Sequence, residues 1–137
     1  RVRVNGECIP AAPGYLDIRR VWRNGDRISL QLDESVYAVL PPDEKARGKY
    51  IALRRGCIVL AAYKRDIGDT PLVVRVDEEG RVIGASPSSS TNAPDAMFGM
   101  FLHNAGRHIY FIDYASAGKT YDEQHPFAAW VPGKIEN

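Results

Sequence analysis

Gly14-Tyr15-Leu16-Asp17-Ile18-Arg19-Arg20-Val21-Trp22-Arg23-Asn24-Gly25-Asp26-Arg27-Ile28-Ser29-Leu30-Gln31-Leu32 is the stretch whose reading decides the fold class. Its second half alternates apolar and polar residues without a fault, which is the period of a half-buried strand. Asn24-Gly25 tolerates the positive φ of a type I′ turn, so residues 14–22 and 27–32 are predicted to form a hairpin. Ile28, Leu30 and Leu32 would then make one buried face, with Ser29 and Gln31 facing solvent.

The same pattern extends in both directions. Toward the N-terminus, Arg1-Val2-Arg3-Val4-Asn5-Gly6 reads as a strand entering a turn. Toward the C-terminus, Val36 to Leu40 reads as a strand that Pro41-Pro42 ends, because proline brings no ladder donor. Asp43 to Gly48 is a charged loop or a single helical turn. Tyr50–Arg54 and Cys57–Tyr63 are strands separated or bulged at Arg55-Gly56, the second apolar on both faces and so expected in the middle of a sheet. Leu72–Val76 and Arg81–Gly84 flank a turn with Gly80 at its left-handed position. Ser86 to Pro94 has little to bury and reads as a loop. Met97–His103 and Arg107–Ile112 form a further hairpin around Asn104-Ala105-Gly106, and Phe127 to Val131 a closing strand. No apolar period of 3.6 residues persists for three turns. Short strands with regular turn signals predict an all-β, antiparallel β-sandwich, jelly-roll-like, as a single domain over residues 1–137.

Composition fits one domain: 137 residues, 45% hydrophobic, enough for a single core. Residues 1–68 hold 13 Lys+Arg against 8 Asp+Glu, and residues 69–137 hold 5 against 9, yet no basic run exceeds Arg54-Arg55. Basic residues interleaved with apolar ones suit solvated strand faces, so no nucleic-acid partner is expected. No apolar stretch approaches the length of a membrane helix, so no membrane partner is expected. The start at Arg1, without an initiator Met, suggests a fragment of a longer chain, and the compartment stays open.

Several residue groups invite a chemical reading. Cys8 and Cys57, the two cysteines, have neither metal-knuckle nor disulfide-framework spacing, and Cys57 beside Ile58-Val59-Leu60 reads as a small buried hydrophobe. His103 and His108 face each other across a predicted loop, but two imidazoles fall short of a zinc ligand set, so no metal or other cofactor is expected. Glycoside hydrolysis needs paired carboxylates. Asp113, after Ile109-Tyr110-Phe111-Ile112, is the acid whose burial would matter most, yet a short acid at a strand end caps the following loop. Asp122-Glu123 reads as a surface pair, and Asp77-Glu78-Glu79 as a turn. Trp22, Tyr121 and Trp130 are the candidates for stacking on sugar rings, although Trp130, between Ala128-Ala129 and Val131-Pro132, is expected to be buried.

Two segments carry a resemblance. Val4-Asn5-Gly6-Glu7, the 14–32 stretch and Ile51-Ala52-Leu53-Arg54-Arg55-Gly56-Cys57-Ile58-Val59-Leu60 resemble the β-sandwich region that follows the helical barrel in the β-L-arabinofuranosidase family of bacterial glycoside hydrolases. Phe111-Ile112-Asp113-Tyr114-Ala115-Ser116-Ala117-Gly118-Lys119-Thr120-Tyr121 and Phe127-Ala128-Ala129-Trp130-Val131-Pro132 look like a C-terminal module attached to some of those enzymes. The resemblance implies that nucleophile, acid/base and zinc ligands lie in an (α/α)₆ barrel preceding this region, so none carries over. Cys57 stands where the family strand commonly has proline.

The implied function is an accessory, non-catalytic domain that packs on the catalytic (α/α)₆ barrel of the parent chain or on a neighbouring subunit, self-association being one form of the latter. The alternatives are a carbohydrate-binding module, and a small self-contained hydrolase using His125 with Asp122 or Cys57.

Overall fold

The computed structural model describes residues 1–88, 96–120 and 125–136. They group into two compact units, Arg1–Asp33 and Glu34–Asn137. The chain is all-β, its helical residues confined among the described ones to single turns.

In the first unit β1 (Val2–Val4), β2 (Glu7–Ile9) and β3 (Ile28–Leu30) form an antiparallel sheet in the order β2-β1-β3. Asn5 explains the pairing. Its backbone N–H donates to the Arg27 carbonyl (2.9 Å). Its side-chain amide donates to Asp26 (2.7 Å) and accepts from the Arg27 N–H (2.8 Å). Residues 27–30 are thereby tied to β1, not to residues 14–22, which lie outside any strand. The expected 14–32 hairpin is therefore replaced by a β1–β3 pair. The turn at 23–26 does exist, closed by Asp26 N–H on the Arg23 carbonyl (3.1 Å), but Gly25 has positive φ and Asn24 does not, so it is not type I′. Consecutive left-handed residues occur instead at Asn5-Gly6 (φ 51° and 89°) and Ala105-Gly106 (48° and 76°), each a two-residue loop whose twist matches the flanking strands.

The expected burial of residues 28, 30 and 32 is also overturned. Ile28, Leu30 and Leu32 are 57%, 65% and 59% exposed, while Val2 and Val4, opposite Leu30 and Ile28 on the same face, are buried. Alternation sets which side chains share a face; whether that face is covered depends on what packs against it.

The second unit contains β4 (Val36–Val39), β5 (Tyr50–Arg55), β6 (Ile58–Tyr63), α1 (Lys64–Ile67), β7 (Leu72–Arg75), β8 (Ala85–Ser88), β9 (Gly99–Asn104), β10 (Arg107–Asp113), α2 (Tyr114–Ala117), β11 (Phe127–Ala128) and β12 (Val131–Glu136). The sheet runs β7-β12-β5-β6-β10-β9-β8, with β4 on β5 and β11 on β6. It departs from a purely antiparallel sheet at β7–β12, which pair in parallel. These strands are far apart in sequence, and only such a long connection permits parallel pairing.

The sheet curls so that its two flanks share one core. Leu72 and Val74 of β7 cluster with Ile51, Leu60, Leu102, Ile109 and Phe111. Asn104 closes the curl, its buried side-chain amide donating to the Val73 carbonyl at 2.6 Å.

Other expectations shift locally. Ser86–Ser88 belong to β8, not to a loop, and the rest of that predicted loop, 89–94, lies outside the described residues. Cys57 sits in the β5–β6 turn and is exposed, not buried, because the hairpin folds at Gly56-Cys57. The last strand is split, since the chain bends at Ala129-Trp130 and leaves Trp130 43% exposed. Arg81–Gly84 contributes isolated bridges instead of a strand, with Val82 opposite Val76 and Arg81 opposite Tyr37.

Candidate functional site

Strand period 2 gives β6, β10 and β9 two faces. Leu60, Ala62, Ile109, Phe111, Met100 and Leu102 point into the main core. The intervening residues Ala61, Tyr110 and Ile112 form a second cluster, with Tyr63 and Phe101 packed against it. The two-residue turn at Ala105-Gly106 fixes the register, placing Tyr110 opposite Phe101 and His108 opposite His103. An aromatic floor results. Phe101 and Tyr110 have ring centroids 5.1 Å apart, and His108 presents an edge to Phe101 at 6.2 Å. Tyr110 is seated over Gly99, where a Cβ would overlap its hydroxyl.

One wall is the turn that leaves β6. The Gly68 N–H bonds the Lys64 carbonyl (3.0 Å), and buried Ile67 anchors the turn on the core. Arg107 fixes its far end, donating to the Ile67 and Thr70 carbonyls at 3.0 and 3.2 Å. Arg65 and Asp66 are thus held beside the floor as an ion pair (3.6 Å), and the guanidinium lies over the Tyr63 ring at 5.1 Å. Together with Phe101, His108 and Tyr110 they line an open cleft of about 310 Å³. Only one carboxylate, Asp66, lines it among the described residues, whereas the usual glycosidase chemistry uses two. A single carboxylate beside aromatic faces is equipped to bind and orient a ligand.

The predicted site residues fall elsewhere. Trp22, in the first unit, is 45% exposed with the Arg20 guanidinium 5.1 Å over its ring. Trp130, in the second unit, is half-exposed at the bend before β12. Tyr121, like Asp122 and Glu123, lies outside the described residues. Neither Trp22 nor Trp130 lines the cleft. Sequence reasoning found His103 and His108, whose rings stand 4.7 Å apart, but missed Phe101, Tyr110 and Tyr63 as neighbours. The alternation in 99–104 and 107–113 was the available signal.

Asp113 does what a capping acid does. It is 1% exposed and precedes α2, accepting the Ser116 N–H at 2.8 Å on one oxygen, and the Met97 and Phe98 N–H groups at 3.0 and 3.2 Å on the other. Burial pushes its carboxyl up, but the bonds from Ser116, Phe98 and Met97 outweigh it and hold the pKa below the ordinary aspartate value. Asp77 likewise organises its turn, accepting the Glu79 and Arg81 N–H groups and the Arg81 guanidinium. Among the described residues no group of three or more His, Cys, Asp or Glu could hold a metal ion. No helix there is long and apolar enough to cross a membrane.

No protein-family model matches the sequence. No curated protein matches it either. Among solved structures, a chain titled "Glycoside hydrolase" matches with a TM-score of 0.58 at 20% identity, covering 97% of this chain and 25% of its own. This chain therefore spans about a quarter of that structure's length, and the likeness is one of fold.

Proposed function

We propose that residues 1–137 are an accessory, non-catalytic β-sandwich domain of a glycoside hydrolase, packing on its catalytic helical barrel or on a neighbouring subunit. The observation that carries this reading is the fold match, in which nearly the whole chain corresponds to a quarter of a glycoside hydrolase. The first unit supplies a surface of the right kind: Val21, Trp22, Ile28, Leu30 and Leu32 are exposed within 12 residues. Exposed apolar side chains in that number are what a surface covered by another protein would present.

The test has two arms. The isolated chain should turn over no nitrophenyl glycoside, and mixed with the helical-barrel portion of a β-L-arabinofuranosidase-family enzyme it should bind with residues 28–32 protected from hydrogen exchange. Turnover by the isolated chain that is lost on Cys57→Ala or His125→Ala would replace this reading with a self-contained hydrolase.

A further inference from the structure

We infer that the cleft floored by Phe101 and Tyr110 and walled by the Arg65–Asp66 pair is a binding site for a neutral saccharide. This goes beyond the accessory-domain reading and stands whether or not the first unit docks on a barrel.

Three features select this ligand class. The floor offers the half-buried Phe101 ring, whose negative quadrupole attracts the weakly positive C–H groups on the flat side of a sugar ring. Phe101 is half-buried, so part of its surface stays available, and Tyr110 beside it is buried and seated over Gly99. The wall sets guanidinium donors and carboxylate acceptors side by side, a complement to neighbouring hydroxyls that each donate and accept.

Charge argues against an ionic ligand. Arg65 already faces Asp66 at 3.6 Å and stacks on Tyr63, so a phosphate or carboxylate would compete with the bound acid and meet its repulsion. A neutral polyhydroxylated ring needs no such displacement. The volume, about 310 Å³, lies at the small end of ligand sites and suits one or two sugar units.

The site is also built on rigid elements. Its floor lies on β10 and β9, inside the sheet, and its wall turn is tied down by Ile67 and Arg107. A pre-formed site loses little ordering entropy on binding, while its open shape limits the area a ligand buries.

The experiment is a titration of the full chain with xylotriose, cellotriose and arabinotriose, followed by backbone amide NMR. At least one should give saturable shifts in residues 63–66 and 99–110 at millimolar concentration. Asp66→Asn, at a half-buried position, and Phe101→Ala, both checked for folding by their amide spectra, should each weaken binding by about tenfold or more. Trp22→Ala and Trp130→Ala should leave it unchanged. The inference is overturned if none of the three sugars saturates, if binding survives both cleft substitutions, or if the shifts gather around Trp22 or Trp130. Failure of barrel binding in the earlier test would leave these outcomes untouched.

Discussion

Replacing Asp113 with alanine removes the acceptor for three backbone N–H groups at once. Ser116 donates to one carboxylate oxygen, and Met97 and Phe98 donate to the other. Met97 retains the Ser116 hydroxyl at 3.2 Å as a second acceptor, so the loss falls mainly on Phe98 and Ser116. A buried donor deprived of its acceptor costs about 1–3 kcal/mol, which for two donors puts the substitution at about 2–6 kcal/mol. That is a large share of the about 5–15 kcal/mol that holds a domain folded. Urea denaturation of the full chain, read by tryptophan fluorescence, measures it directly.

The pH dependence of the same site is fixed in sign. Because the folded-state pKa of Asp113 lies below the ordinary value, the folded state favours the carboxylate. Its stabilisation is complete above the unfolded aspartate pKa, about 3.9, and is lost as pH falls through the lower folded value. Asp113→Asn, which does not titrate, should be less stable than the parent at neutral pH, and the gap should narrow below about pH 4. A loss under about 1 kcal/mol for the alanine variant, or a gap that stays constant down to about pH 2.5, would refute this account of Asp113.

Other substitutions probe the frame around the cleft and the open face. Gly99→Ala should cost about 1–3 kcal/mol in urea melts, since its Cβ would overlap the Tyr110 hydroxyl. Arg107→Ala should cost about 1–2 kcal/mol and speed amide exchange at residues 67–70, because the Ile67 and Thr70 carbonyls lose their donor; unchanged exchange would count against the clamp. Ile28→Ser with Leu30→Ser should lower binding of the hydrophobic dye ANS while shifting stability by under about 0.5 kcal/mol, as both side chains are already largely in water. A large loss of stability there would mean that the face is buried.

What the sequence determined alone is the local part. Short apolar runs bounded by turn residues, at 58–63, 99–104 and 107–113, specified strands. Gly80 and Gly106 marked chain reversals because glycine reaches positive φ without steric cost, and Pro41-Pro42 marked a strand end because proline has no N–H for the ladder. Asp113 was legible as a cap because Ser116, whose N–H it accepts, lies only three residues on, whereas its bonds from Met97 and Phe98 came with the tertiary structure. The tertiary structure decided what local rules leave open. Residues 27–30 had the pattern of a hairpin strand, but Asn5, more than 20 residues away, captured them for β1. Ile28, Leu30 and Leu32 share the spacing of core residues and yet face solvent, since the pattern says which residues lie together and not what covers them. The cleft joins Tyr63, Arg65 and Asp66 to Phe101, His108 and Tyr110 across about 40 residues of intervening chain. Only the pairing of β6 with β10, a contact between distant segments, brings those side chains to one face.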